Sequence, residues 1–316
     1  MTETIGNPLS WTVGAARAAG SYAGAARNHL GSGDVDPATL PRVRKLTIDD
    51  LVVALRRGVD DFAAARSDAV FLCIFYPILG IALIYLTVRG EVVPLIFPLM
   101  VGFALIGPAA AVGLYEISRR RERGEAVNWA TVLADFRSPS FGPIVVLGLL
   151  LMAIFFIWMV AAHGIWAATL GPLPHASVAE FLSSTLTTWP GWAMIVVGCT
   201  VGLLFATAVL AISVVSFPLL LDRPVGLPAA VVTSIRVMAA NPGPIFAWGA
   251  IVALALAIGS IPLFLGLVLV IPVLGHATWH LYRRAVEPAV EMPADAESGR
   301  NDRREADLSE FGQNAM

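Results

Sequence analysis

The sequence has few charged residues, few histidines and almost no cysteine. Of its 316 residues, 14% are Asp, Glu, Lys or Arg and 57% are hydrophobic, and five are His. Soluble domains carry about 25% charged residues, so a water-soluble globule of this composition would lack polar surface. The mean hydropathy is +0.75. These values exclude a soluble globular domain and predict an integral membrane protein.

The scarcity of cysteine and the balance of charge exclude two further classes. Cys73 and Cys199 lie far apart within apolar stretches, so neither a disulfide framework nor a thiolate metal site is available. The 21 Lys and Arg residues nearly balance the 23 Asp and Glu residues, which gives a net charge of −2. Nucleic-acid binding needs a basic surface, so we expect no nucleic-acid partner.

Motifs of catalysis and ion coupling are also absent from the sequence. It contains no phosphate-binding P-loop, no GxSxG elbow, no HExxH zinc motif and no dinucleotide-binding glycine pattern. No Asp, Glu, Lys or Arg lies in the central part of any predicted span, although ion-coupled transporters use such groups. These absences argue against an enzyme and an ion-coupled transporter, and we expect no cofactor.

Long uncharged stretches predict six membrane-spanning helices. A helix rises about 1.5 Å per residue and the hydrocarbon core is about 30 Å thick, so about 20 apolar residues form one span. The last stretch, Ile245 to Leu281, is too long for one span, and the turn-prone residues Gly259 to Pro262 divide it. The predicted spans are 69–88, 92–117, 141–162, 191–221, 245–258 and 262–282. We expect an all-α polytopic membrane protein whose spans form three hairpins.

The positions of Lys and Arg predict the orientation, because cytoplasmic loops are rich in both. With six spans and a cytoplasmic N-terminus, 20 of the 21 Lys and Arg residues face inward, and only Arg89 faces outward. Both termini are therefore expected in the cytoplasm. The predicted organisation is a mobile N-terminal segment (1–41), a membrane domain (42–286) and a disordered cytoplasmic tail (287–316).

Amphipathic segments precede the odd-numbered spans. Before the first span, apolar residues recur with helical spacing, and the Asp and Arg residues between Asp49 and Asp61 take the other face. Thr47, with Asp50 three residues on, suits a helix N-cap. The apolar positions are Ile48, Leu51, Val52, Leu55, Val59 and Phe62; then Trp129, Val132, Leu133 and Phe136; then Leu227, Val231, Ile235 and Met238. We predict elbow helices in the cytoplasmic interface.

The second and sixth predicted spans repeat one another at an offset of 164 residues. Pro98, Leu99, Gly102, Leu105, Pro108, Arg119 and Arg120 correspond to Pro262, Leu263, Gly266, Leu269, Pro272, Arg283 and Arg284. Four crossings separate the two spans, so they point the same way. The pattern predicts a parallel internal repeat.

Four sequence motifs carry a family resemblance. They are YEISRRR at 115–121, SFPLLLDRPV at 216–225, NPGP at 241–244 and LGHATWHLYRR at 274–284. Together they resemble a family of bacterial integral membrane proteins catalogued as domain of unknown function 2189. The resemblance covers roughly residues 44–286. It implies a multispan protein of the bacterial inner membrane and no established activity.

One group of residues suggests a metal site. His276 and His280 are four residues apart, so a helix presents both imidazoles on one face, as metal-binding pairs require. The repeat places Glu116 at the position of His280, so packing of the two repeats would form a His-His-Glu cluster. The alternative is an interfacial belt whose polar tips bind headgroups, loop backbone or arginines. The glutamate of HExxH is missing, which favours the belt.

Arginines are the remaining candidate site residues. Arg119, Arg120, Arg121, Arg123, Arg283 and Arg284 follow the second and sixth spans on the predicted inner side, where each positive residue near anionic lipid is worth about 1 kcal/mol. They are a candidate surface for anionic headgroups or a membrane-protein partner, including a second copy of the chain. We rank a non-catalytic scaffold, assembly or lipid-organising component first. A permease or channel for an uncharged or apolar solute is second, and a metal-dependent membrane enzyme third.

Overall fold

The computed structural model describes residues 40–65, 74, 78, 80–82, 85, 112–125, 141–171 and 178–288, and these are mainly helical. The first predicted span, most of the second, the segment from Trp129 to Phe136 and the first half of the repeat lie largely outside the described residues. So do the predicted N-terminal segment and nearly all of the tail. The helices are α1 (Ile48–Ala64), α2 (112–122), α3 (Phe141–Thr169), α4 (Val178–Thr187), α5 (Trp189–Ser213), α6 (Ser216–Asp222), α7 (Leu227–Ala240), α8 (Pro242–Ser260) and α9 (Leu267–Ala285).

Three helical stretches in the described part of the chain are long and apolar enough to cross a membrane. They are Phe141–Thr169, Trp189–Asp222 and Pro242–Ser260, and the second comprises α5 and α6. They coincide with the predicted third, fourth and fifth spans. Large apolar side chains along them are exposed, as a helix in contact with lipid requires.

The predicted break between the last two spans is present, but the helix after it differs from the prediction. α8 ends at Ser260, and α9 begins at Leu267 rather than Pro262. Leu263 and Phe264 of the turn between them have positive φ angles of 50° and 64°. α9 is not among the three long apolar stretches of the described chain, because its C-terminal half is polar and packs inside the protein. The count of six spans therefore stays a prediction.

The buried core lies toward one end of the membrane helices. In α3 the buried residues are Pro143, Ile144 and Leu147, all within its first two turns. In α8 the core residues near the N-terminus are Ile245 and Trp248. α9 contributes mainly its C-terminal half. The protein is thus packed most tightly at the end that the arginine pattern predicts to be cytoplasmic.

The helix predicted before the first span is present as α1, with the expected N-cap. Thr47 and Asp50 form a capping box, in which each side chain binds the backbone N–H of the other residue. The buried face of α1 includes Asp61, which the periodicity placed on the charged face. Its buried residues are Leu51, Ala54, Gly58 and Asp61, whereas Ile48, Val52 and Val59 are exposed.

α1 packs closely on α9. A Cβ atom at Gly58 would lie 2.7 Å from Ala277 N and from Val273 O, so only glycine lets the two backbones approach this far. Small residues at helix contacts allow such close packing. The buried face of α1 therefore follows its small residues rather than its largest apolar ones.

The corner between α7 and α8 holds the chain that leads into α1. Asn241, the residue between the two helices, accepts a hydrogen bond from Leu46 N at 2.7 Å on Oδ1 and donates from Nδ2 to the Arg44 carbonyl at 2.9 Å. The Lys45 ammonium donates to the Ala240 carbonyl at 2.7 Å. The start of α1 is thus fixed at the N-terminal end of membrane helix α8.

Candidate functional site

Four buried polar residues from three helices meet between α1, α2 and α9. They are Asp61, Ser118, His276 and His280, and we name them the polar cluster. Their exposed fractions are 6%, 0%, 0% and 8%. Buried polar groups are costly unless they are hydrogen-bonded, so their mutual contacts decide whether these helices can pack.

The contacts of the cluster define where its protons lie. Ser118 Oγ is 2.6 Å from Asp61 Oδ2 and 2.8 Å from His276 Nδ1. An ionised carboxylate only accepts and a hydroxyl has one proton, so Ser118 donates to Asp61 and His276 Nδ1 donates to Ser118. His280 Nε2 donates to the same Asp61 oxygen at 2.8 Å. These assignments follow from hydrogen-bond accounting.

The carboxylate of Asp61 is held in its ionised form. Burial raises the pKa of Asp61, but hydrogen bonds from His280 and Ser118 and the nearby imidazoles outweigh burial and hold this pKa below its usual value. Arg121 Nε lies 3.4 Å from the other oxygen, Oδ1. One carboxylate of α1 therefore joins donors from both α2 and α9.

Glu116 does not join the two histidines. Its carboxylate is 1% exposed and pairs with Arg119 Nε at 2.7 Å and Arg120 Nε at 2.5 Å, and Arg119 Nη1 also donates to the Leu221 carbonyl at 2.7 Å. Among the described residues no group of three or more His, Cys, Asp or Glu side chains is placed to hold a metal ion. The predicted set of His276, His280 and Glu116 is thus divided between two separate groups of contacts.

A second set of charged groups ties the C-terminal end of α9 to α2 and α6. Glu122 accepts from Trp279 Nε1 and Arg283 Nε, both at 3.1 Å. Asp222 accepts from the Tyr282 hydroxyl at 2.6 Å and lies 3.6 Å from Arg283 Nη1. Three of the four motifs that carry the family resemblance, at 115–121, 216–225 and 274–284, are therefore in contact.

Each of the six predicted arginines has a partner inside the protein. Arg119 contacts Glu116 and Leu221, Arg120 contacts Glu116 and Glu125, Arg121 contacts Asp61 and the Asp60 carbonyl, Arg123 contacts Asp222, Arg283 contacts Glu122 and Asp222, and Arg284 contacts Asp50. The side chains of Arg121 and Arg123 are the most exposed, at 41% and 51%. These two arginines offer the most surface to another molecule.

The polar cluster is not arranged for nucleophilic catalysis. A catalytic serine needs a base that takes its proton and a route for substrate. Here the Ser118 proton is directed to Asp61, His276 donates to Ser118 rather than accepting from it, and Ser118 is fully buried. The geometry instead joins three helices through hydrogen bonds, and these leave His276 Nε2 and His280 Nδ1 without a hydrogen-bond partner in the described structure.

Two cavities in the described part of the protein lie apart from the cluster and are apolar. One, of about 610 Å³, lies between α3 and α5 and is lined by residues that include Trp158, Gly198 and Cys199. The other, of about 240 Å³, lies between α1, α8 and α9, beside Leu55 and Ile251. Neither is lined by a residue of the polar cluster.

The sequence pattern had identified only half of the cluster. It singled out His276 and His280, but placed Asp61 on the charged face of its helix and did not mark Ser118. A usable signal for Asp61 was the spacing of Ala54, Gly58 and Asp61, which puts two small residues and the carboxylate on one helix face. The partner helix, more than 200 residues away, leaves no trace in that spacing.

Comparison with known proteins gives one family. Residues 96–222 match the model of a family described as predicted integral membrane protein (DUF2189). The matched residues include Glu116, Ser118 and Asp222, and they agree with the family resemblance of the sequence motifs. No curated protein and no solved structure matches the chain.

Proposed function

We propose that this integral membrane protein is a non-catalytic scaffold of the bacterial inner membrane. Its packed end, which the arginine pattern predicts to be cytoplasmic, would hold an arginine surface in a fixed position for a membrane-protein partner. The observation that carries the proposal is the set of contacts that the charged side chains make at this end of the protein. The carboxylates and arginines there bind one another and the backbone, so they fix the helix ends.

The polar cluster supports a structural role because its hydrogen bonds run between three helices of the protein. Asp61 accepts two hydrogen bonds on Oδ2 and has Arg121 Nε at 3.4 Å from Oδ1, and Ser118 bridges Asp61 and His276. Truncating one member of such a buried charged pair is costly, whereas the complete network specifies one packing. We therefore assign the cluster to the positioning of α1, α2 and α9.

Arg121 and Arg123 are the part of this end best suited to binding another protein. Both are more than two-fifths exposed, and both are restrained: Arg121 Nη1 donates to the Asp60 carbonyl at 2.8 Å, and Arg123 Nη2 lies 3.9 Å from Asp222. A restrained arginine loses less side-chain entropy on binding. Arginine is also enriched among the residues that dominate binding energy.

The test is purification of the full-length protein from its native membranes in mild detergent, with quantitative identification of bound proteins. One variant carries Arg121→Gln and Arg123→Gln. Its matched control is Arg236→Gln, which removes an exposed arginine from α7. We expect a partner in near-stoichiometric amount with the wild type and the control, and a loss of about tenfold with the double variant.

Two results would contradict the scaffold proposal. One is recovery of the protein without any near-stoichiometric partner. The other is a partner that the double variant retains in full, since that would place the binding surface elsewhere. The first result would favour the second-ranked alternative, a permease for an uncharged or apolar solute. Solute flux into reconstituted vesicles would then be measured.

A further inference from the structure

α1 exposes a row of large apolar side chains that the described part of the protein does not cover. Ile48, Val52 and Val59 are 58%, 40% and 50% exposed. They lie at steps of four and seven residues, so they form one stripe along the helix, which we name the apolar stripe. Beside it, the small-residue face of α1 is occupied by α9. The stripe is therefore a second contact face, available to something outside the described part of the chain.

α1 is held against α9 at several points along its length. Near its start Asp50 pairs with Arg284, and near its end Asp61 pairs with His280. Between them Gly58 packs against Val273 and Ala277. The contacts with α9 therefore fix the position of α1, and they leave the apolar stripe uncovered.

The start of α1 also lies at the end of a membrane helix. Leu46 and Lys45 bind Asn241 and the Ala240 carbonyl, directly before α8. α8 is one of the three stretches long and apolar enough to cross a bilayer. The end of such a helix is the level of the lipid headgroups. The apolar stripe therefore begins at headgroup depth.

The exposed charges around the stripe are mainly positive. Four exposed cations precede or flank it: Arg42, Arg44, Lys45, which also donates to the Ala240 carbonyl, and Arg56. The exposed acids are Asp49 and Asp60, because Asp50 binds Thr47 and Arg284 and Asp61 is buried in the polar cluster. A positive surface beside an apolar stripe is complementary to an anionic lipid layer.

We infer that α1 seats on the anionic headgroup layer of the membrane that holds the protein. The apolar stripe inserts between headgroups, and the surrounding cations bind lipid phosphates. This contact goes beyond the proposed scaffold role, because it does not depend on Arg121, Arg123 or a protein partner. Through Gly58 and Asp61, the lipid-bound helix is joined directly to α9.

The experiment reads lipid contact at single positions of the full-length protein. Cys73 and Cys199 are replaced by alanine, and an environment-sensitive fluorophore is attached at Val52→Cys. The matched control is Arg57→Cys, five residues on and about 140° around the helix. Both proteins are placed in nanodiscs of phosphatidylcholine with or without phosphatidylglycerol. Iodide quenches from water, and a shallow spin-labelled lipid quenches from the headgroup region.

We expect the label at Val52 to be quenched by the spin-labelled lipid and its iodide quenching constant to be about threefold smaller than that at Arg57. Phosphatidylglycerol should enlarge this difference, and Arg42→Gln with Arg56→Gln should remove the enlargement. Equal iodide quenching at the two positions would overturn the inference. Shielding of Val52 from both quenchers would also overturn it, because a protein would then cover the stripe. Insensitivity of the wild type to phosphatidylglycerol would overturn the anionic specificity.

Discussion

At the scale of the residue, Asp61 is the carboxylate on which the packed end depends. Its Oδ2 atom accepts from Ser118 of α2 and His280 of α9, and its Oδ1 atom faces Arg121 of α2. Hydrogen bonds to a charged group are worth about 1.5 to 3 kcal/mol each. A single side chain therefore stabilises the meeting of three helices.

Acid should weaken the contact between α1, α2 and α9, because it protonates the Asp61 carboxylate. Because its pKa is lower in the folded protein than in the unfolded chain, the stability that Asp61 contributes is present above about pH 4 and is lost as the pH falls through the folded pKa. His280, Ser118, Arg121 and His276 face this carboxylate. Melting temperatures in mild detergent should fall with acid more steeply for the wild type than for Asp61→Asn. Parallel pH profiles would contradict this assignment.

The N-cap of α1 makes a second prediction for single residues. The backbone N–H of Thr47 lowers the pKa of Asp50, the Thr47 side chain lowers it further, and so does Arg284. Loss of an N-cap side chain costs about 1 kcal/mol. Thr47→Ala should therefore speed amide hydrogen exchange in the first turn of α1, whereas Thr47→Ser, which keeps the hydroxyl, should not. Equal exchange in both variants would show that the cap contributes nothing.

Thr47 and Asp61 show which side-chain contacts can be predicted from the sequence. The cap was predictable because Thr47 and Asp50 are three residues apart and the interaction is local. Asp61 was assigned to the charged face, because helical periodicity sorts residues by polarity and contains no information on a distant donor. Its burial depends on His280, 219 residues away.

At the scale of the element, the contact between α1 and α9 depends on the absence of a side chain at Gly58. An added Cβ would meet Val273 O and Ala277 N at 2.7 Å, and these backbone atoms have little freedom to move. Overpacking of this kind costs about 1 to 3 kcal/mol. The two helices separate or shift if Gly58 is enlarged.

Gly58→Ala should therefore lower the melting temperature in mild detergent and raise the accessibility of α1 to protease. The matched control is Gly198→Ala, also within a helix, where an added Cβ meets no atom of the described chain within 4 Å. That variant should be neutral or slightly stabilising, since alanine favours a helix over glycine by about 1 kcal/mol. A Gly58→Ala protein as stable as Gly198→Ala would show that the close contact is unimportant.

The sequence predicted the elements, but not which of their residues pack against neighbouring helices. The helix before the first span and the break near Ser260 are both present. The apolar periodicity of α1 and α7 marked large residues such as Val59 and Ile235, which the structure leaves exposed. In a membrane protein the largest apolar side chains can face lipid, while small residues such as Ala54 and Gly58 face the neighbouring helix. Periodicity alone does not distinguish these two environments.

At the scale of the whole molecule, the Lys and Arg residues and the buried core lie at the same end of the membrane helices. The predicted inner segments hold almost every Lys and Arg, and the described core lies at that end as well. The prediction of three of the six spans is supported by long apolar helices, because length and hydropathy are local properties. The first two spans and the repeat cannot be compared with the described residues, and α9 is polar enough to differ from a lipid-facing span.

Orientation can be read from single cysteines at the two ends of the membrane helices. In a protein without Cys73 and Cys199, we expect Thr187→Cys, at the end of α4, to react with an impermeant maleimide added to intact spheroplasts. Arg236→Cys, in α7 at the packed end, should react only after permeabilisation. Labelling of Arg236→Cys in intact spheroplasts would reverse the predicted topology.

The polar cluster joins α1 to α9, and a double-mutant cycle between Asp61 and His280 measures how strongly these two residues stabilise that contact. The free energy of unfolding would be measured in mild detergent for Asp61→Ala, His280→Ala and the double variant, with Asp61→Ala and Ser260→Ala as a distant control pair. We predict a coupling energy of about 1 to 3 kcal/mol for the first pair and additivity for the control. Additive effects for Asp61 and His280 would show that their hydrogen bond does not stabilise the contact between α1 and α9.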